Sequence, residues 1–546
     1  MLANVLVLLT ALMLPLGAFA QTGSAQPEPV PVESAPTVSA VAPAADGASA
    51  TQAGLDDRID AAIRPIADAV SDAIFYEVPI GGVGFPLIVG WLVLAGLICT
   101  IAFKFINLRG FGHGFRLLRG DYDDPKAPGE VTYFQALTSA VSGTVGLGNI
   151  AGVAVAITLG GPGATFWMIL AGLFGMSTKF VECTLGTKYR LVKADGTISG
   201  GPMYYLSRGI GETYPRLKTV GWVLAAIFAV CTMLGAIGAG AMFQANQAYS
   251  QWLGVTGGDE GILGDRGWLF GLVYALIAGV VVIGGITRIG NVTAKLVPAM
   301  GALYIIACLI VLIGDFHLIP TAFMAIIDGA FTAEGVTGGV IGALIQGFRR
   351  ASFSNESGLG SSAIAHSTIK TREPVSAGMV AIWEPFVDTV VICTMSALVI
   401  VISGVYLNDQ DAVGVQLSSA AFATVMPWFP PVLAFIVLMF AFSTTITWGY
   451  YGAKAASFLA GESKAVLYGF KVFYLGMVIA GCTMPLGSIV GIADGLLFIM
   501  AIPNLIGVYL LMPALRREVD SYWLRLRAGE IPTRAQREAA AAGSAH

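Results

Sequence analysis

The chain has 546 residues, 56% of them apolar and 12% charged, with a net charge of -4 at neutral pH and a mean hydropathy of +0.76. Runs of about 18 or more apolar residues recur along it, which marks a polytopic helical membrane protein. Nothing in it is basic enough for nucleic-acid binding. The 69 glycines would suggest loops in water, but in a bilayer they let helix backbones pack closely. All six cysteines fall inside predicted spans without a CxxC pair, and they are read as small packing residues.

Residues 1–20 are a short apolar run ending Ala18-Phe-Ala20, which fits a secretory signal peptide, although no Lys or Arg precedes the apolar stretch. A retained first membrane helix is the other reading. Residues 21–80 are expected to be a disordered exterior tail, rich in Ala, Pro, Ser and Thr at its start. Near its end Leu55, Ile59, Ile63, Ile66, Val70 and Ile74 recur at helical spacing among charges. That pattern fits an amphipathic surface helix or a merely solvated acidic segment.

Eleven spans follow, at 85–107, 132–159, 163–188, 218–252, 268–288, 295–314, 335–369, 376–406, 428–460, 464–485 and 489–514. Lys and Arg cluster in alternate loops: Lys104, Arg109, Arg116, Arg119 and Lys126 after the first span, Lys188, Arg190 and Lys193 after the third, Arg288 and Lys295 after the fifth. Arg516, Arg517, Arg525 and Arg527 follow the last. These loops are therefore cytoplasmic, which puts the N-terminus outside and the 516–546 tail inside a cell membrane, the inner one in a bacterium. The second and seventh spans are each interrupted by Gly and small polar residues, at Ser142 to Asn149 and at Phe353 to Ser362. With the first span set aside, the interruptions open two groups of five. Five is odd, so the second group sits inverted, and paired broken helices mark an alternating-access binding site.

Several ordered motifs carry a resemblance: Gly143-Thr-Val-Gly-Leu-Gly-Asn-Ile-Ala-Gly-Val-Ala154, Gly160-Gly-Pro-Gly-Ala-Thr-Phe-Trp-Met168, Phe353-Ser-Asn-Glu-Ser-Gly-Leu-Gly-Ser361 with Ile364-Ala-His366, Asp388-Thr389, and Ile502-Pro-Asn-Leu505. The chain resembles the alanine or glycine:cation symporter family, whose members have a leucine-transporter-like fold. The resemblance makes residues 81–515 an all-α transporter domain with a 5+5 inverted repeat and one extra N-terminal helix. It implies symport of a small neutral amino acid, alanine or glycine, with sodium as coupling ion and no other cofactor. A proton-coupled or glutamine-type carrier of the same fold is the alternative. A sensor or channel is less favoured, because the C-terminal tail is too short for an output domain, and no catalytic Ser pairing or metal cluster suggests an enzyme.

The same resemblance assigns the site. Amides at Gly146 and Leu147 face the substrate carboxylate, with Thr144 as a hydroxyl donor, because a broken helix offers free amides and a positive dipole to an anion. Gln244, Phe353 and Trp448 form pocket walls, the two aromatics as lids. One sodium site uses the carbonyls of Ser142, Val145 and Ala441 with the hydroxyls of Thr444 and Thr445. The other uses Thr144, Asn149, Ser354 and Thr389 with the substrate carboxylate. Arg349, Arg350 and Asp494 are expected to form an outer gate. Glu356 is read as a brace hydrogen-bonding free amides or as an ion ligand, and Lys179 and Glu384 are expected to snorkel near the interfaces.

Overall fold

The computed structural model describes residue 69 and residues 71–80, 83–332, 339–408, 414–484 and 486–543. The expected signal peptide and most of the expected tail lie outside these described residues. The last residues of that tail are ordered: Glu77–Ile80 (β1) pairs antiparallel with Val83–Pro86 (β2). This hairpin leads into the first apolar helix, Leu87–Ala102 (α1), and a short surface helix, Phe111–Leu118 (α2), follows.

The first interrupted span starts at a capping box, in which Thr132 Oγ1 accepts the Gln135 amide at 3.2 Å and Gln135 Oε1 accepts the Thr132 amide at 3.0 Å. Its first half is Tyr133–Thr144 (α3), and its second is a wide π turn, Gly148–Gly152, running into Val153–Gly160 (α4). The halves meet at a bend of 52°. Ala164–Lys188 (α5) follows. Lys218–Gly235 (α6) and Phe243–Val255 (α7) are joined by the π segment Ala236–Met242.

Gly267–Val282 (α8) and Gly285–Gly314 (α9) are nearly continuous. The expected loop holding Arg288 and Lys295 is not there; both residues lie on the exposed side of α9. The turn sits earlier, at Gly285, whose φ of +72° is open to glycine. Gly339–Asn355 (α11) and Ser362–His366 (α12) are the halves of the second interrupted span, after the apolar Ile319–Phe331 (α10). Pro374–Ala381 (α13) continues through a π segment, Phe386–Cys393, into Thr394–Ser403 (α14). Val415–Ala423 (α15), Pro430–Leu459 (α16), Lys464–Gly481 (α17) and Leu486–Phe498 (α18) come next.

The last long helix, Ala501–Arg527 (α19), runs well beyond the expected end at 514, and Arg525 forks Glu373 at 2.7 and 2.6 Å. Arg534–Gly543 (α20) closes the chain. Among the described residues, seven helices are long and apolar enough to cross a membrane, and the bent pair α3 and α4 makes an eighth. The expected first and fifth spans are shorter helices, Leu87–Ala102 and Gly267–Val282.

Lys179 and Glu384 do not snorkel. Both are 0% exposed, Nζ and Oε1 are 3.0 Å apart, and Ser362 Oγ lies 2.5 Å from each. A charge at this depth is held by a partner because solitary burial costs several kcal/mol. Glu182, one turn on, accepts from Asn504 Nδ2 at 2.5 Å, and Asn504 also reaches the Gly358 carbonyl at 2.7 Å. The network thus ties α5 and α19 to the interruption between α11 and α12.

Candidate functional site

The two interruptions touch. A Cβ built on Gly148 would stand 3.1 Å from Ser354 Cα, so glycine is what lets the two backbones approach. Beside this contact is a small cavity lined by Thr144, Gly146, Gly148, Gln244, Phe353 and Trp448, with Thr444 and Glu356 at its edge. All the expected substrate residues meet here except Leu147, which is fully buried and contributes its backbone: its amide reaches Gln244 Oε1 at 3.4 Å.

The amides of the break are not equivalent. Gly146 already donates to Asn149 Oδ1 at 2.9 Å, which withdraws it from the expected carboxylate role. The Gly148 amide has no acceptor among the described residues and is the one left to an anion. Gln244 is oriented by its own helix, Nε2 donating to the Ala239 carbonyl at 3.1 Å. Phe353 meets Phe243 edge-on at 5.5 Å. Trp448 is positioned by its indole N–H, which donates to Glu356 Oε1 at 2.9 Å. Glu356, at φ +55°, also accepts from Ser361 Oγ. It therefore braces the turn through side chains and not through free amides.

Asn149, Ser354 and Thr389 converge on a residue the sequence reading had left unassigned. Asn149 Nδ2 reaches Asp388 Oδ1 at 2.7 Å, while Ser354 Oγ and Thr389 Oγ1 reach Oδ2 at 2.9 and 2.7 Å. Asp388 is 0% exposed, and no ion pair among the described residues involves it. Thr144 is not part of this cluster, since its hydroxyl returns to the Ala140 and Val141 carbonyls at 3.4 Å. The signal for Asp388 was available, namely an aspartate beside a threonine within an apolar span. The π segments carrying Asn149 and Asp388 place both at the depth of the cavity, a common use of such turns.

At the expected second cation site, α16 turns Ser443 toward Ser142 and Thr445 away from it. Ser443 Oγ lies 3.3 Å from the Ser142 carbonyl and 2.8 Å from the Phe440 carbonyl, and Thr444 Oγ1 lies 3.2 Å from that same carbonyl. Thr445 points elsewhere, with Oγ1 2.9 Å from Tyr274 Oη on α8. One residue turns a helix by about 100°, so Ala441 and Thr445 leave the face that Phe440 and Ser443 occupy.

The second interrupted span is held on both sides of its break. Arg349 reaches Asp494 Oδ2 at 3.0 Å and Arg350 contacts the same oxygen, so the three expected gate residues meet. The Arg349 guanidinium lies 3.9 Å from the Phe75 ring, which rests on Phe498. At the other end of that span, Arg190 Nη1 donates to the Ser367 and Ile369 carbonyls, each at 2.7 Å, and Nη2 to Pro128 and Thr371 at 2.8 and 2.7 Å. Burial lowers its pKa to about 10, which leaves it cationic. Nearby, Lys370 donates its amide to the Val131 carbonyl at 2.9 Å, joining the start of α3 to the end of the second interrupted span.

Apolar spans interrupted around a small cavity furnished with oxygens define a membrane transport protein. The chain belongs to the sodium:alanine symporter family, whose model matches residues 73–536; its members are transporters and not enzymes. It is 36% identical to the sodium/alanine symporter AgcS of Methanococcus maripaludis over 80% of this chain and 94% of that one. It is 31% identical to the probable sodium/glutamine symporter GlnT of Bacillus subtilis over 82% and 90%. A crystal structure of MhsT in complex with L-phenylalanine aligns with 70% of this chain and 89% of that one, at 13% identity and a TM-score of 0.48.

Proposed function

We propose that the protein imports a small neutral amino acid, alanine or glycine, together with sodium by alternating access. Asp388 carries the reading: a fully buried carboxylate with three hydrogen-bond donors and, among the described residues, no cationic side chain in ion-pair range calls for a mobile cation. Sodium held by Asp388 and the hydroxyl oxygens of Ser354 and Thr389, with Asn149 tying the carboxylate to the first break, would lie near the Gly148 amide, where the substrate carboxylate binds. Ion and amino acid then favour each other by direct attraction. The carbonyls of Ser142, Val145 and Phe440 with the hydroxyls of Ser443 and Thr444 form the second sodium site.

In this reading Phe353 and Trp448 limit side-chain size, Gln244 and Thr144 supply polar contacts, and Asp494 with its two arginines is the outer gate. Eleven spans are arranged as one extra helix and two inverted groups of five, with the N-terminus outside and the C-terminus cytoplasmic. The alternative, proton coupling, would place the mobile charge on Asp388 itself. Proteoliposome uptake of labelled alanine, glycine and glutamine, driven separately by sodium, potassium or a pH gradient, tests the proposal. Sodium-independent uptake overturns the coupling, and a preference for glutamine overturns the substrate.

A further inference from the structure

We propose that a groove between the end of α1 and the C-terminal half of α19 binds the headgroup of an anionic glycerophospholipid. The groove encloses about 430 Å³ and is lined by Lys104, Arg109, Arg516 and Arg527, with Asp520 as its one carboxylate. Left-handed backbone at both Lys104 and Phe105, φ +55° and +56°, turns the chain sharply at the end of α1. That turn brings the first two cations opposite the last two.

Like charges gathered in one groove repel unless an anion joins them. None of the four cations, nor Asp520, takes part in an ion pair among the described residues. Trp523 lines the same groove beside them. Four cations suit a phosphodiester, whose oxygens accept several donors at once.

The neighbourhood argues for a lipid over a free anion. Ile101, Phe105, Leu108 and Leu524 are 59%, 53%, 66% and 68% exposed. An apolar patch of this kind belongs against acyl chains, and the cations next to it belong at headgroup level. In the orientation proposed above, on which this inference rests, the groove opens to the cytoplasmic leaflet. A lipid seated there would bridge α1, the helix outside the two groups of five, to α19, which carries Asn504 toward the interrupted span.

The test is lipid titration of the purified full chain, followed by thermal melting and by native mass spectrometry. Phosphatidylglycerol, phosphatidylcholine and inorganic phosphate are added separately. Phosphatidylglycerol should raise the Tm and remain bound, and the other two should not. Removing each basic side chain should weaken binding about fivefold, so Arg516→Ala with Arg527→Ala should weaken it about twenty-fivefold. The paired lysine substitutions, which keep the charge, should retain most of the binding and show that the groove is still folded. An equal response to phosphatidylcholine, a full response to inorganic phosphate, or unchanged binding by the double alanine variant would each overturn the proposal. Binding is read without transport, so failure of the symport reading would appear separately, as absent alanine uptake by the unaltered protein.

Discussion

Asn149 holds Asp388 and the first helix break in one grip: its Nδ2 is 2.7 Å from Asp388 Oδ1, and its Oδ1 accepts the Gly146 amide at 2.9 Å. A cation binding at the carboxylate therefore acts on the backbone that lines the cavity. Asp388→Asn removes the charge and keeps the shape. The sodium concentration for half-maximal uptake should rise roughly ten- to a hundredfold, the worth of a hydrogen-bonded charged group. An unchanged sodium activation curve would remove Asp388 from the site.

Along α16 the register is directly testable. Ser443→Ala and Thr444→Ala should each raise the sodium requirement. Thr445→Val should leave sodium activation as it is and cost about 1 kcal/mol of stability through the lost contact with Tyr274. A raised requirement in Thr445→Val with none in Ser443→Ala would restore the set Ala441, Thr444 and Thr445.

Asp494 is 1% exposed and serves two arginines. Asp494→Asn leaves both cations facing a neutral amide, and breaking a buried pair costs about 3–5 kcal/mol. Alanine exchange in preloaded proteoliposomes should fall along with net uptake. Normal exchange would mean that the triad does not gate.

Arg190 fastens both interrupted spans through backbone carbonyls alone. Arg190→Ala should open that end and speed labelling of a Val131→Cys thiol by a membrane-impermeant reagent applied from the cytoplasmic face. Arg190→Lys should protect it poorly, since an ammonium cannot fork to four acceptors in a plane. Labelling at the unaltered rate would sink the assignment.

The glycine-rich interruptions were legible in the sequence because polar residues inside an apolar span have few other uses. Long-range partners were not. Lys179 and Glu384 are 205 residues apart, and each alone resembles a side chain near an interface. Which face of α16 meets Ser142 was not legible because Ser443, Thr444 and Thr445 are chemically alike, and only the neighbouring helix decides which of them faces it. Arg190 escaped notice because carbonyl acceptors leave no trace in residue identity.

The buried Lys179–Glu384 pair also dictates an order of assembly. Lys179 leaves the ribosome roughly ten to forty seconds before Glu384 at ordinary elongation rates, and a lone charge at mid-helix costs about 3 kcal/mol on insertion. In that interval the neighbouring opposite charge on its own helix is Glu182, three residues further on. The nascent α5 can thus enter the bilayer self-neutralised, and Glu182 passes to Asn504 only once its first partner has been claimed. Glu182→Gln should then lower the yield of inserted chain more than the Tm of the molecules that mature, as pulse-labelling against melting would reveal; a matched loss in both would tie Glu182 to the finished structure alone.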